Sequence, residues 1–136
     1  SNQLEDQTIV SAAAVKYQEG GSYIADIRYR IFTNGTAEAS IGKNYKNTSY
    51  TNYKFRDFKA AADNIVSEEK NIITGGLAGI ADAIAAAVRG GQMISMTLIK
   101  TIFKQAGKAI PVFGTLLIIY NYGKAVYNAV QAYKKI

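Results

Sequence analysis

The sequence predicts an α+β fold, a small antiparallel meander of three or four strands followed by a bundle of three or four amphipathic or apolar helices. Three observations carry this expectation. Residues Tyr23 to Phe32 alternate with period two and run into the hairpin dipeptide Asn34-Gly35. From Arg56 onward the apolar spacing is helical. Glycine pairs and the single proline, Pro111, then cut the second half into helix-sized pieces. A chain of 136 residues suits one domain, able to bury roughly two-thirds of its unfolded surface without a covalent staple. Within it we expect a neutral β-rich portion over 8–56 and a helical portion over 57–136.

Each element has its own local reason. Thr8 to Tyr17 has strand composition, although the Ala12-Ala13-Ala14 triplet equally allows helix. Gly20-Gly21 is expected to turn the chain. Tyr23, Ala25, Ile27, Tyr29 and Ile31 then share one face of a half-buried strand, with Asp26, Arg28 and Arg30 on the other. Asn34-Gly35 suits a type I′ turn because both residues tolerate positive φ. Thr36 to Lys43 would return from it, and Asn44 to Phe55 is open to a fourth strand or an ordered loop.

Phe58, Ala61, Ala62, Ile65 and Val66 form the stripe of a first, short helix ending near Lys70-Asn71. Thr74 is placed to cap a second helix that reaches Arg89 and stops at Gly90-Gly91. A third is expected over Gln92 to Gln105. The last would carry Pro111 in its first turn, where the missing N–H costs nothing, with bends at Gly114 and Gly123.

Composition narrows the chemistry. The chain has no Cys and no His, which removes disulfides, thiolate metal sites, the commonest general base and the Ser–His nucleophile. Ten Tyr against five Phe and no Trp describe a binding surface better than a catalytic one. No enzyme, cofactor or metal site is expected. Glu68 and Glu69 are adjacent and so diverge on a helix. The glycine pairs lack the Lys-Ser/Thr of a phosphate loop. Asn34-Gly35-Thr36 and Asn47-Thr48-Ser49 match the glycosylation sequon but match turn chemistry better. Strand alternation sets Arg28 and Arg30 opposite Tyr23 and Tyr29, so no nucleic-acid partner is expected.

Charge is unevenly placed. Residues 1–70 carry nine basic and nine acidic side chains, whereas residues 71–136 carry seven basic ones against Asp82 alone. The net +6 of the protein therefore belongs to its apolar, glycine-rich half. Such a segment suits an anionic lipid surface. Lys100, Lys104 and Lys108 line one face of the expected third helix at four-residue spacing, with Ile94, Leu98, Ile99, Ile102, Phe103 and Ala106 opposite. The candidate membrane-binding set is Lys100, Phe103, Lys104, Lys108, Lys124, Lys134 and Lys135. A solvated bundle helix has the same pattern.

Gly75, Gly79, Ala83 and Ala87 form a small-residue ridge for close helix packing, in water or in lipid. Asp82 is either a solvated acid, a lysine partner, or a pH-sensitive group that must protonate before lipid entry. The uncharged run Ala109 to Gly123 has 15 residues, short of the roughly 20 needed to span a bilayer as a helix. It is either a buried helix or part of a hairpin that inserts after rearrangement.

The Gly75 to Val88 texture, the Lys100/Lys104/Lys108 face, the apolar Val112 to Tyr120 run and Lys134-Lys135 together resemble Gram-positive membrane-active bacteriocins of the leaderless and circular kinds. That resemblance, confined to the C-terminal half, implies a compact saposin-like helical bundle and permeabilisation of target membranes. The Tyr-rich β portion departs from those peptides and would be an added receptor-binding or shielding module.

The expected function is accordingly a secreted antibacterial or cytolytic protein that binds anionic membranes through the lysine helix and permeabilises them with an apolar helical hairpin. An envelope receptor and a cognate immunity protein would be its protein partners. The alternative is a soluble binding module that recognises an envelope or protein partner through Tyr45, Tyr50 and Tyr53. The chain begins Ser1-Asn2 without Met, which fits a removed leader or signal, or else a remnant of expression.

Overall fold

A computed structural model describes residues 16–136 as a four-stranded antiparallel sheet followed by four helices. The strands are β1 (Tyr17–Ser22), β2 (Ile27–Phe32), β3 (Thr36–Ile41) and β4 (Asn44–Ser49), and the helices are α1 (Tyr53–Thr74), α2 (Ala78–Arg89), α3 (Met96–Gln105) and α4 (Phe113–Lys135). The α+β expectation is met. Most of the expected first strand, Thr8 to Tyr17, lies outside the described residues.

The sheet is a simple meander, ordered β1-β2-β3-β4. Ile27 and Tyr29 of β2 and Ala37 and Ala39 of β3 point inward and are buried, as the alternation predicts. The small alanines let α1 lie close across this face. Its buried residues Phe55, Phe58, Ala62, Ile65, Glu69 and Ile72 recur every three or four positions, one continuous stripe toward the core. Tyr29 meets Phe55 edge-on with ring centroids 6.3 Å apart. Below α1 lies α4; α2 packs on α1 and α4, and α3 closes over α2 and α4.

Several boundaries differ from expectation. Gly20-Gly21 sits within β1 and makes no turn; a Cβ on Gly20 would lie 2.3 Å from the Tyr29 hydroxyl, so the residue leaves room for that ring. The chain turns instead at Tyr23 to Asp26, where Ser22 Oγ accepts the Ala25 N–H at 2.9 Å and Asp26 adopts φ +55°. Asn34-Gly35 forms no type I′ turn. Only Gly35 has positive φ, and its N–H returns to the Phe32 carbonyl at 3.1 Å, the geometry of a three-residue loop with a left-handed last residue. The fourth strand ends at Ser49.

The first helix is longer than predicted, 22 residues, because Asn52 caps it early by accepting the Lys54 N–H at 3.0 Å. Thr74 caps nothing; it is the last residue of α1 and its hydroxyl donates back to the Lys70 carbonyl at 2.9 Å. Ser95, not Gln92, opens α3, its Oγ accepting the Leu98 N–H at 3.1 Å. Pro111 stands outside α4, which begins at Phe113 and runs unbroken through Gly114 and Gly123. Helices α1, α2 and α3 all end in the same paired hydrogen bonds around a left-handed glycine, Gly76, Gly91 and Gly107.

Candidate functional site

Two surfaces and one buried cluster stand out. The first surface is the corner between α3 and α4. Helix α3 buries Ile99, Ile102 and Phe103 and presents Lys100 and Lys104 to solvent, with Lys108 just beyond its end. Its apolar face is thus already occupied by the core. Phe103, at 2 % exposure, is a core residue and not a lipid contact; the expectation that α3 lies apolar side down on a membrane does not hold in this fold.

What the corner does offer is a different apolar set. Val112 is 75 % exposed, Phe113 66 %, Leu117 42 % and Ile110 40 %. Phe113 and Leu117 are one helical turn apart and share a face, and Ile110 and Val112 precede them on the chain. Sequence inspection missed this cluster because the run from Val112 to Tyr120 is apolar nearly all round, so nothing local says which side will be covered. Packing on α1 and α2 takes Leu116 and Ile119 inward and leaves Phe113 and Leu117 out. No acidic residue occurs after Asp82, and Lys100, Lys104 and Lys108 make no ion pair among the described residues. Lys124, Lys134 and Lys135 are exposed farther along α4, away from this tip in sequence.

The small-residue ridge packs only in part, Ala83 lying half-buried against the core while Gly75 and Gly79 are exposed. Gly75 caps the end of α1, and a Cβ on Gly79 would meet nothing within 4 Å. Ala83 and Ala87 border an open groove whose other wall includes Leu98 and Ile102. The face of α2 that is buried carries Ile80, Ala81, Ile84, Ala85 and Val88, since larger side chains gain more from burial than a glycine–alanine ridge. Asp82 is exposed on α2 and makes no ion pair among the described residues.

The second surface is the outer face of the sheet. Alternation turns Arg28 and Arg30 of β2, Glu38 and Ser40 of β3 and Tyr45 of β4 outward, with Arg28 opposite Ser40 and Ser40 opposite Tyr45. The expected separation of arginines from tyrosines is incomplete. Tyr29 does face inward, but the Arg28 guanidinium lies 4.7 Å from the Tyr23 ring centroid and that of Arg30 lies 5.0 Å from the Tyr17 ring. Tyr23 belongs to the turn and Tyr17 to the neighbouring strand, so β2 periodicity could not reveal either stack. Tyr45, Tyr50 and Tyr53 are all exposed but form no single patch. Tyr45 is on the outer sheet face, Tyr50 packs edge-on against Phe55 with centroids 6.3 Å apart, and Tyr53 borders a groove with Tyr127 and Lys135.

The buried cluster joins β1, α1 and α4. Glu69 Oε1 accepts from Ser22 Oγ at 2.6 Å and from the Tyr122 hydroxyl at 2.8 Å. Burial, reinforced by the hydrogen bond to Glu69 and the negative charges of Glu69 and Asp82, pushes the Tyr122 phenol far above its ordinary range. Glu69 therefore diverges from Glu68, as expected, but toward the core. A related contact lies between sheet and helix: the Tyr29 hydroxyl donates to Asp63 Oδ1 at 2.6 Å and Lys59 donates to Asp63 Oδ2 at 2.9 Å.

No described helix is long and apolar enough to cross a membrane. No protein family, curated protein or solved structure matches the chain.

Proposed function

We propose that this protein acts on anionic membranes, as a secreted antibacterial or cytolytic protein whose first contact with lipid is the α3–α4 corner. The observation that carries this reading is the exposure of Ile110, Val112, Phe113 and Leu117 directly after the exposed Lys100, Lys104 and Lys108 along the chain, in a half whose sole acid is Asp82. A soluble surface ordinarily scatters such side chains; here four fall between residues 110 and 117. Each lysine near an anionic surface contributes about 1 kcal/mol, and burying a Val or Phe side chain contributes about 1.5–3 kcal/mol. Three lysines with Val112 and Phe113 would supply roughly 6–9 kcal/mol before ordering costs, in the range of reversible peripheral binding.

Permeabilisation is a second step. Because no described helix spans a bilayer, the apolar run Ala109 to Gly123 would have to enter lipid together with a neighbouring segment. That movement separates α4 from α1 and breaks the hydrogen bond between Tyr122 and Glu69. The buried acid at the point of release is thus Glu69, whereas Asp82 lies in solvent.

Co-sedimentation with vesicles and release of an entrapped dye test both steps. We expect binding and leakage with phosphatidylglycerol-containing vesicles and neither with phosphatidylcholine alone. Val112→Ser with Phe113→Ser should weaken binding while leaving the folded state intact. Failure to bind either vesicle would remove the reading; binding without leakage would retain docking and remove the cytolytic step.

A further inference from the structure

We propose that the outer face of the sheet is a second, independent binding site, for a sugar that carries a carboxylate or phosphate group. A cleft of about 120 Å³ lies there. It is too small to enclose a ligand of the usual pocket size, about 300–1,000 Å³, and suits one charged unit of a saccharide lying along the face.

The charges in the cleft are arranged in two zones. Arg30 sits between Glu19 of β1 and Glu38 of β3, its direct cross-strand neighbours, with Nε 3.8 Å from Glu38 Oε1. Arg28 has no such flanks: its cross-strand neighbours are Gly21, which has no side chain, and Ser40. It has one ion pair, with Asp26 Oδ1 at 3.9 Å from Nε, as long as that of Arg30 with Glu38, and that Nε is buried without a hydrogen-bond acceptor. Nε itself is occluded, but the Arg28 side chain is 31 % exposed, and its remaining guanidinium N–H groups are open to an incoming oxygen anion. Lys43 lines the same end of the cleft.

Stacking on Tyr23 holds the Arg28 guanidinium in place, which reduces the entropy lost on binding. Beside it, Ser40 offers a hydroxyl and Tyr45, 61 % exposed, offers a free aromatic face on which an apolar sugar face can lie. Around Arg30, Glu38 supplies acceptors for hydroxyl donors, as does the second oxygen of Glu19, whose Oε1 already accepts the Tyr23 hydroxyl at 2.9 Å. One anion at Arg28 with hydroxyls toward the glutamates is therefore the complementary ligand. A nucleic acid fits less well, because its repeating phosphates would meet both carboxylates.

Titration of the full chain, followed by its amide NMR spectrum, tests this with four probes: trigalacturonate, glucose 6-phosphate, neutral triacetylchitotriose and oligothymidylate. At least one acidic sugar should shift amides of β2, β3 and β4, about tenfold or more tightly than the neutral trisaccharide, the equivalent of one charge-assisted hydrogen bond. The two acidic probes distinguish a sugar carboxylate from a sugar phosphate. Arg28→Gln should remove that advantage, and Tyr45→Ala should weaken binding even if Arg28→Gln perturbs the fold. Replacing Lys100, Lys104 and Lys108 together by Gln should leave sugar binding unchanged, which separates this site from the membrane corner. The proposal is overturned by absence of binding to both acidic sugars, by equal binding of the neutral one, by tighter binding of the oligonucleotide, or by binding that follows the lysines and ignores Arg28 and Tyr45.

Discussion

Tyr122 donates its hydroxyl to Glu69 Oε1 at 2.8 Å, across the contact between the two longest helices, and Ser22 of β1 donates to the same oxygen at 2.6 Å. Tyr122 is fully buried and Glu69 nearly so. One carboxylate oxygen thus ties the sheet edge, α1 and α4 together inside an otherwise apolar core, where hydrogen bonds to a charged group are strong and their loss is costly. Tyr122→Phe should destabilise the protein by about 1–3 kcal/mol, measured by urea unfolding, because it removes one donor from a buried carboxylate. Ser22→Ala should act in the same direction. The double variant should depart from additivity, since both donors serve one acceptor; additive losses would show that the two hydrogen bonds act separately.

Alkaline pH should loosen the same contact. Burial, and then the hydrogen bond to Glu69, raise the Tyr122 phenol from its ordinary value of 10.0, and burial followed by the hydrogen bond to Asp63 raises Tyr29. The hydrogen bond to Asp63 also raises Lys59 from 10.5. For each group the folded state holds its proton more tightly than the unfolded chain does. Their contribution is complete below the unfolded pKa and is lost as pH rises through about 10 and beyond. Thermal stability should therefore be flat in this respect at neutral pH and fall above pH ~10. Tyr122→Phe should flatten that alkaline slope, and an unchanged slope would remove Tyr122 as its source.

Gly123 supplies a test whose sign reverses with context. A Cβ placed there would approach Ile94 Cδ1 to 2.5 Å, because the segment before α3 lies directly on α4 at this point. Gly123→Ala should cost about 1–3 kcal/mol by overpacking. In an Ile94→Gly background the three closest contacts, to Cδ1, Cγ1 and Cβ, are all absent, and the same substitution should stabilise by up to about 1 kcal/mol through the higher helix propensity of Ala. Paired denaturation curves measure the reversal; equal effects in both backgrounds would mean that the helix, and not Ile94, sets the response.

The parts of this fold that were legible in the sequence are those governed by local periodicity and local termination. Ile27 and Tyr29 are buried as their alternation requires, and Gly91 and Gly107 end helices close to where glycine was expected to stop them, whereas Gly76 ends a helix expected to stop near Lys70-Asn71. Misplaced features depend on partners distant in the chain. The period-two pattern continues through Tyr23 to Asp26, yet Asp26 turns the backbone there with φ +55°. Gly75, Gly79, Ala83 and Ala87 have the spacing of a packing ridge, but Ile80 and Ile84 determine which side of α2 is covered. Phe113 and Phe103 are equally apolar; one is exposed and the other buried because α3 turns Phe103 into the core whereas α4 turns Phe113 away from it. The Arg28–Tyr23 and Arg30–Tyr17 stacks are likewise set by turn and cross-strand geometry.

Separating charge from apolar burial at the α3–α4 corner gives the most direct test of how the membrane step works. If Lys100, Lys104 and Lys108 recruit the protein electrostatically, replacing each by Gln should weaken binding to anionic vesicles by about 1 kcal/mol, roughly fivefold. Those losses should shrink as salt shortens the Debye length from about 10 Å at 0.1 M to about 3 Å at 1 M. Phe113→Ser acts through removal of apolar surface from water and should cost about 1.5–3 kcal/mol at either salt concentration. Because Phe113 makes little contact with the core at 66 % exposure, this variant should keep the unfolding midpoint of the parent. A loss of binding that tracks a lowered midpoint would assign Phe113 to folding. Salt-independent lysine losses would assign those side chains to specific contacts instead of recruitment by the surface potential.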